Sequence, residues 1–439
     1  MTTVLQSQKT ANLPHFLVEG LKRLEHGFTV LALFFYSNSI VPLIMANGAS
    51  EGDGFDYNSL NYSLSHALYL LTYMLTTIFI LLRWKKVLYT LLQNKYISGL
   101  LILVPLSALW SVSPSNTLSA SVSMIGSSLM GVYLASRYTL QEQLRLLGVA
   151  FGLTIGLSLL FILLLPKYGI MGGIHSGAWR GIFTHKNLFG QMMVFSSMLF
   201  FVLAKTHKAS FLYWLGFFLS FIFIIFSTSS SALLNFLLAI SLTLSTRFFC
   251  LSKKRFILLL VAFIAIGCSL SVWIPEILAT ALGLVGKDLT FTGRTDIWSY
   301  VIDKIIERPW LGYGHNAFWH GLSGESAYVI RALRWNAPNG HNGFLDLWLE
   351  LGFLGLTMYI FTFWETFFKA TLLTRITQSW EQNWILVFFV FIITSNLSES
   401  SLMLRNGFFW IMFVSIVFSE SLLFKRLLTY RHQARLRNT

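Results

Sequence analysis

The stretch GHNGFLDLWLELGFLGL, residues 340–356, opens an apolar run of membrane length with His341 and Asn342, and it carries Asp346 and Glu350 in its first turns. A helix that only has to lie in lipid gains nothing from such residues, and ionisable groups at membrane depth are functional suspects by default. Two further clusters stand apart from a greasy sequence. WRGIFTHKNLFG holds Arg180, His185, Lys186 and Asn187, and FTGRTDIW holds Arg294. Arginine is permanently charged and grips phosphate oxygens with a planar fork. At the mouth of a helix, Arg294 would work with that helix's free N–H groups to hold an anion. A neutral histidine near pH 7 takes a proton from an attacking hydroxyl. Together these residues fit a reaction in which a pyrophosphate leaves and a sugar hydroxyl attacks. Trp298, Trp310, Tyr313, Trp319, Tyr328 and Trp335 offer flat faces for sugar rings.

Each residue also has a plain structural reading. Arg180 would anchor a span at the lipid head groups, and Arg294 would pair with Asp296 or Asp303. His341 would bond to backbone beside a helix cap. His315 and Asn316, in GYGHNAFW, read as turn residues. Asp346 and Glu350 are four apart, so they share one helix face, from which they would orient His341. Glu399 and Arg405, in SNLSESSLMLRNG, flank a turn and would form an ion pair as readily as touch a substrate. The STSSS run at 227–231 reads as a tight turn.

The elements that must position these groups follow from composition. The chain has 439 residues, 55% hydrophobic and 11% charged, with mean hydropathy +0.65. One soluble core cannot hide that much apolar surface, so the class is an all-α polytopic membrane protein. Twelve spans are expected: 28–46, 65–83, 97–112, 118–136, 146–165, 188–204, 210–227, 229–246, 256–274, 343–364, 384–400 and 407–424. With the N-terminus inside, most of the 32 basic residues fall in the inside segments, and the acidic stretch NGASEGDGFDYN falls outside. The net charge of +14 is thus a signature of topology, not of nucleic-acid binding. The expected organisation is a cytoplasmic segment 1–27, spans one to nine over 28–274, a large outer loop 275–342, spans ten to twelve over 343–424, and a cytoplasmic basic tail 425–439. No cleavable leader is read before residue 28. Cys250 and Cys268 lie in or beside apolar runs and imply no disulfide or metal framework. Within the outer loop TDIWSYVIDKIIERPW places Ile297, Tyr300, Val301, Lys304 and Ile305 on one helical stripe, ended by Pro309, and ESAYVIRALRW predicts a second short helix.

His341-Asn342, nine residues, then Gly352-Phe353-Leu354-Gly355 resembles the H-[NSQ]-x9-G-x-x-[GTY] pattern of lipid A core–O-antigen ligases. RGIFTHKN and GRTDIW…ERPWLGYG are similar to the broader family that also holds Wzy-type O-antigen polymerases and ExoQ-like exopolysaccharide proteins. The resemblance implies a GT-C-type fold in the bacterial inner membrane with a periplasmic active site. It implies a donor glycan on undecaprenyl pyrophosphate, a glycolipid or glycan acceptor, and a metal-independent, inverting glycosyl transfer without cofactor. It makes His341 the group that activates the acceptor hydroxyl. Arg180 and Arg294 would carry the pyrophosphate, helped by His185, Lys186, Asn187 and Asn342, with Asp346, Glu350 and Glu399 as orienting groups. Ligation to lipid A core is the leading reading and polymerisation its main rival. A polysaccharide transporter or flippase is the rival from another class, but transporters gather polar groups near the bilayer midplane. Here the chemistry gathers at one outer surface.

Overall fold

A computed structural model describes residues 15–37, 39–49, 61–207, 210–248, 293–334 and 336–437, with a few isolated positions between 258 and 269. Most of the expected span at 256–274, both cysteines and residues 275–292 of the large loop lie outside the described residues.

The described chain is helical, with one isolated antiparallel bridge between Ile170 and Trp179. In chain order the helices are α1 His15–Tyr36, α2 Ile40–Met45, α3 Ser63–Leu81, α4 Trp84–Leu91, α5 Lys95–Leu106, α6 Pro114–Arg137, α7 Leu140–Leu164, α8 Pro166–Gly169 and α9 Lys186–Thr206. They continue with α10 Ser210–Phe226, α11 Ser230–Phe248, α12 Gly293–Glu307, α13 Ala327–Leu333, α14 Gly343–Thr377, α15 Trp380–Asn396 and α16 Phe408–Arg437. Among the described residues six helices are long and apolar enough to cross a membrane, and α4 with the residues from Lys95 to Leu109, bent by 99°, would make a seventh span. The chain is therefore an all-α polytopic membrane protein.

The expected spans are not all continuous helices. The one read at 28–46 stops at Tyr36, where the Ser37 hydroxyl bonds back to the Phe34 carbonyl at 2.6 Å, and resumes as the short α2. The one at 97–112 ends as an α-helix at Leu106, just after Pro105, and tightens into a 3-10 turn. The last helix runs on through the basic tail to Arg437.

Helices α9, α15 and α16 form the middle of the bundle, and aromatic side chains fill it. Phe195 packs edge-on to Trp384 and Phe408, and Trp410 is fully buried. Small residues let helices approach closely, as expected where lipid gives no hydrophobic push between them. A Cβ on Gly131 would strike Val414, and one on Gly216 would strike Phe200. At one end of the bundle Glu25, 5% exposed, is held by Arg83 at 2.8 Å, Arg137 at 3.2 Å and the Tyr133 hydroxyl at 3.1 Å. A buried carboxylate survives only with such partners.

The opposite end carries a helical cap. Ile297, Val301 and Ile305 of α12 fall on the predicted stripe and are buried with Tyr313, Phe318, Val329 and Ala337. Leu349, from the first turns of α14, completes this small core. Those turns are not the start of a smooth span. Gly352 sits at φ +68°, ψ −172° and breaks α14 into a short leading segment, 343–351, and a long trailing one. The break removes two helical hydrogen bonds and replaces all four of their ends. The Leu349 and Glu350 carbonyls accept from the N–H groups of Tyr313 and Gly314, each at 2.9 Å. The N–H groups of Phe353 and Leu354 donate to Pro309 and Trp310 at 2.8 and 3.2 Å. Segment 309–314 is in turn tied to the start of α6, with Val112 N–H on the Tyr313 carbonyl at 3.0 Å. Buried backbone groups must be paired, so the break and this segment require each other.

Gly352 has no substitute here. A Cβ would run into the Trp310 carbonyl, and a side chain at this φ is strained whatever the space. Gly352→Ala is expected to cost on the order of 3 kcal/mol. Thermal unfolding in detergent and limited proteolysis of 308–342 would show it; wild-type stability and protection would contradict the stitched break.

Candidate functional site

The ends of three elements meet beneath the cap. The first is the start of α9. His185 is its N-cap, in extended conformation, and its Nδ1 accepts the Asn187 N–H at 3.1 Å. That bond fixes the neutral tautomer with the proton on Nε2. Burial pushes the His185 pKa down to about 4, and nearby His175, Lys186, Arg180 and His341 push it the same way. His175 is also lowered, by burial and then by Lys186. A helix N-terminus, Lys186 and Arg180 thus make this side of the site electropositive. The Lys186 ammonium reaches Thr228 at 3.2 Å, in the turn that the STSSS run was expected to form.

The second element is the turn before α14. His341 has φ +48°, and its N–H donates to the Asn339 side chain at 2.9 Å. A non-glycine residue in that region is held by its surroundings. The third is the loop between α15 and α16. Its Glu399 lies between the other two: Oε1 accepts from Asn187 Nδ2 at 3.2 Å, and Oε2 stands 4.0 Å from His341 Nδ1. The Glu399 carbonyl also receives the Gly343 N–H at 3.1 Å. One carboxylate therefore joins α9 to α14 and faces the histidine.

Asp346 clamps the same turn from the other side. It accepts the Trp319 indole N–H at 2.9 Å, the Gly340 N–H at 3.1 Å and the Ser400 hydroxyl. It holds the backbone one residue before His341. Glu350, the other carboxylate on that face, turns to His315 Nδ1 at 2.8 Å. The cap enters through Trp298, whose indole N–H donates to the Gly340 carbonyl at 3.0 Å. Arg294 lies one helical turn earlier, about 6 Å along the axis; its side chain is outside the described residues.

Two expected contacts have other work in this structure. Arg180 is 1% exposed. Its guanidinium donates to the main-chain carbonyls of Tyr168 at 2.8 Å, Lys167 at 3.1 Å, Ala49 at 3.2 Å and Thr184 at 3.4 Å, and to that of Gly48. The fork pins 165–184 to the turn after α2. The Asn342 side chain caps α14 by accepting the N–H groups of Phe344 and Leu345 at 3.0 and 3.2 Å. His185, Lys186, Asn187, Glu399 and His341 are brought together. His315 is the residue the sequence undervalues: its surroundings read as a turn, and Asn316 beside it does adopt a turn conformation at φ +53°. Among the described residues no group of three or more His, Cys, Asp or Glu is arranged to hold a metal ion.

Residues 215–360, about a third of the chain, match the family model described as O-Antigen ligase. That stretch includes Arg294, segment 309–314, His341 and Gly352, and leaves out Arg180–Asn187 and Glu399. Over 90 residues the chain is 31% identical to the exopolysaccharide production protein ExoQ of Rhizobium meliloti, covering 20% of this chain and 21% of that protein. Over 70 residues it is 36% and 39% identical to proteins of Rickettsia conorii and Rickettsia prowazekii, each provisionally named a polysaccharide ligase, covering 15% of this chain and 17% of each. The matched region spans about a fifth of the length of these relatives. The chain thus resembles the O-antigen ligase and Wzy-type family, as its motifs indicate.

The lowered pKa of His185 has a consequence for stability. Between about pH 6.5 and about pH 4 the unfolded chain binds a proton there that the folded chain does not, so stability falls as pH falls through that window. His185→Asn keeps an N-cap acceptor and removes the titration. Unfolding midpoints measured across that range should show a shallower pH dependence in the variant; an identical slope in both proteins would refute the assignment.

Proposed function

Starting from that likeness to O-antigen ligases and ExoQ, we propose that the chain is a membrane glycosyltransferase of the periplasmic face of the bacterial inner membrane. It moves a glycan from undecaprenyl pyrophosphate to an acceptor hydroxyl, with O-antigen ligation to lipid A core as the leading reaction. The observation that carries the reading is the meeting of His341, Glu399 and the electropositive start of α9 beneath the cap that holds Arg294.

In this reading His341 takes the proton from the acceptor O–H as that oxygen attacks the anomeric carbon of the donor. The bond from that carbon to the pyrophosphate oxygen breaks, and undecaprenyl pyrophosphate leaves with the electron pair. Glu399 steadies the imidazolium that forms, the role a carboxylate plays behind a general-base histidine. The leaving group's charge is met by Arg294, by Lys186 and by the free N–H groups at the start of α9. Arg180 contributes by ordering the loop before α9. The base and the cations supply the chemistry without a metal. A backbone held by Asp346 and the break at Gly352 keep the base fixed, as a near-attack geometry demands.

Polymerisation is the second reading, favoured by the match to an exopolysaccharide production protein. The acceptor decides between them. Purified protein would be given an undecaprenyl-pyrophosphate glycan with lipid A core in one tube and no second acceptor in another. Label on lipid A core identifies a ligase, and a lengthened lipid-linked chain identifies a polymerase. His341→Ala should insert and fold yet lose at least about 100-fold in turnover; near-wild-type turnover would sink the role of His341. Arg294→Lys should lower kcat/KM by about tenfold, because a point charge does not replace the planar fork. An unchanged kcat/KM would remove Arg294 from the leaving-group site.

A further inference from the structure

Beside the His341 turn lies a cavity of about 390 Å³ whose lining includes His315, Trp319, Asp346, Glu350, Leu404 and Arg405. It falls within the size range of small-molecule pockets, roughly 300–1,000 Å³. Gly343, Asp346, Leu347 and Glu350 form its wall from α14; at that spacing they share one helix face. Ser400 and residues 402–405 close it from the loop that carries Glu399. His185, Lys186 and Asn187 are not among the lining residues.

Its polar groups are organised from behind. The indole N–H of Trp319 is fixed on Asp346 at 2.9 Å. His315 has a side chain only 3% exposed, with Nδ1 2.8 Å from Glu350. The carboxylate selects the tautomer with the proton on Nδ1, leaving the Nε2 lone pair as an acceptor. Nε2 has no hydrogen-bond partner among the described residues, a costly condition for a buried polar atom. Two carboxylates against one arginine make this wall hostile to a phosphate, whereas carboxylates, imidazole and an indole suit the hydroxyls and flat face of a sugar.

We propose that this cavity binds the saccharide end of the acceptor, and that the His315 imidazole, held by Glu350, turns on binding so that its Nε2, shut off from the cavity in this structure, accepts a hydrogen bond from a sugar hydroxyl. Calling the saccharide the acceptor rests on the proposed function; the presence of a saccharide site does not. The acceptor would thus approach His341 from the acidic side and the pyrophosphate donor from the basic side, so that like-charged groups never share one pocket.

The test is saturation-transfer NMR on the full-length protein in detergent, with the methyl glycosides of glucose, galactose, N-acetylglucosamine and rhamnose as probes. The wild type should give a signal with at least one of them. Leu404→Trp, at a rim residue that is half exposed, should abolish it without touching the buried pair. His315→Gln and Glu350→Gln should each weaken affinity roughly fivefold. His341→Ala should keep the signal, and farnesyl pyrophosphate should not displace the sugar. No signal with any probe, a signal indifferent to Leu404→Trp and His315→Gln, or displacement by farnesyl pyrophosphate would each overturn the proposal. Glycan transfer without a glycoside signal removes this site and leaves the proposed function standing. A signal in a protein that transfers no glycan removes the function and leaves the saccharide site.

Discussion

The break in α14 at Gly352 is the constraint on which the rest of the site depends. A helix that enters a membrane cannot leave its backbone groups unpaired. Here the freed carbonyls of Leu349 and Glu350 and the freed N–H groups of Phe353 and Leu354 are all taken up by segment 309–314. This joins the cap to the bundle through main-chain bonds. It also frees the leading segment, 343–351, from the direction of the span behind it. Asp346 and Glu350 therefore lie in a short helix at the bundle's end, where they meet Trp319, Ser400 and His315 instead of lipid. The spacing of nine residues between Asn342 and Gly352 is the length of that leading segment.

The second organising feature is a separation of charge across the His341 turn. On one side stand a helix N-terminus, Lys186, the buried Arg180 and a histidine kept neutral by burial and neighbouring cations. On the other stand Asp346, Glu350 and the His315 pair. Glu399 lies between them, bonded to Asn187 and facing His341. A transfer reaction that joins an anionic donor to a neutral hydroxyl benefits from such a division, because each partner is favoured on one side only.

Much of this was legible in the chain. Composition alone demanded a polytopic helical protein, and period-3.6 spacing announced the α12 stripe of Ile297, Val301 and Ile305, which the structure buries. The clusters around His185 and His341 stood out as polar exceptions in apolar sequence, and they do meet. What stayed hidden were relations between distant residues. Hydropathy averaged over a window runs smoothly through Gly352, so the break is invisible without its partner segment 309–314. Arg180 and Asn342 have the right chemistry for an anion, yet local geometry turns one toward carbonyls and the other toward a helix N-terminus. His315 looked like a turn residue because it is one; its pairing with Glu350 exists only once the break brings residues 35 positions apart side by side.

The most direct test of the account is where the donor's pyrophosphate sits. A lipid-linked saccharide carrying a photoreactive group next to the pyrophosphate would be cross-linked to the full-length protein and the labelled peptides read by mass spectrometry. The account predicts label concentrated in 180–190, 293–300 and 339–346, competed away by unlabelled donor. Label concentrated at the other end of the bundle, around Glu25, Arg83 and Arg137, would contradict it.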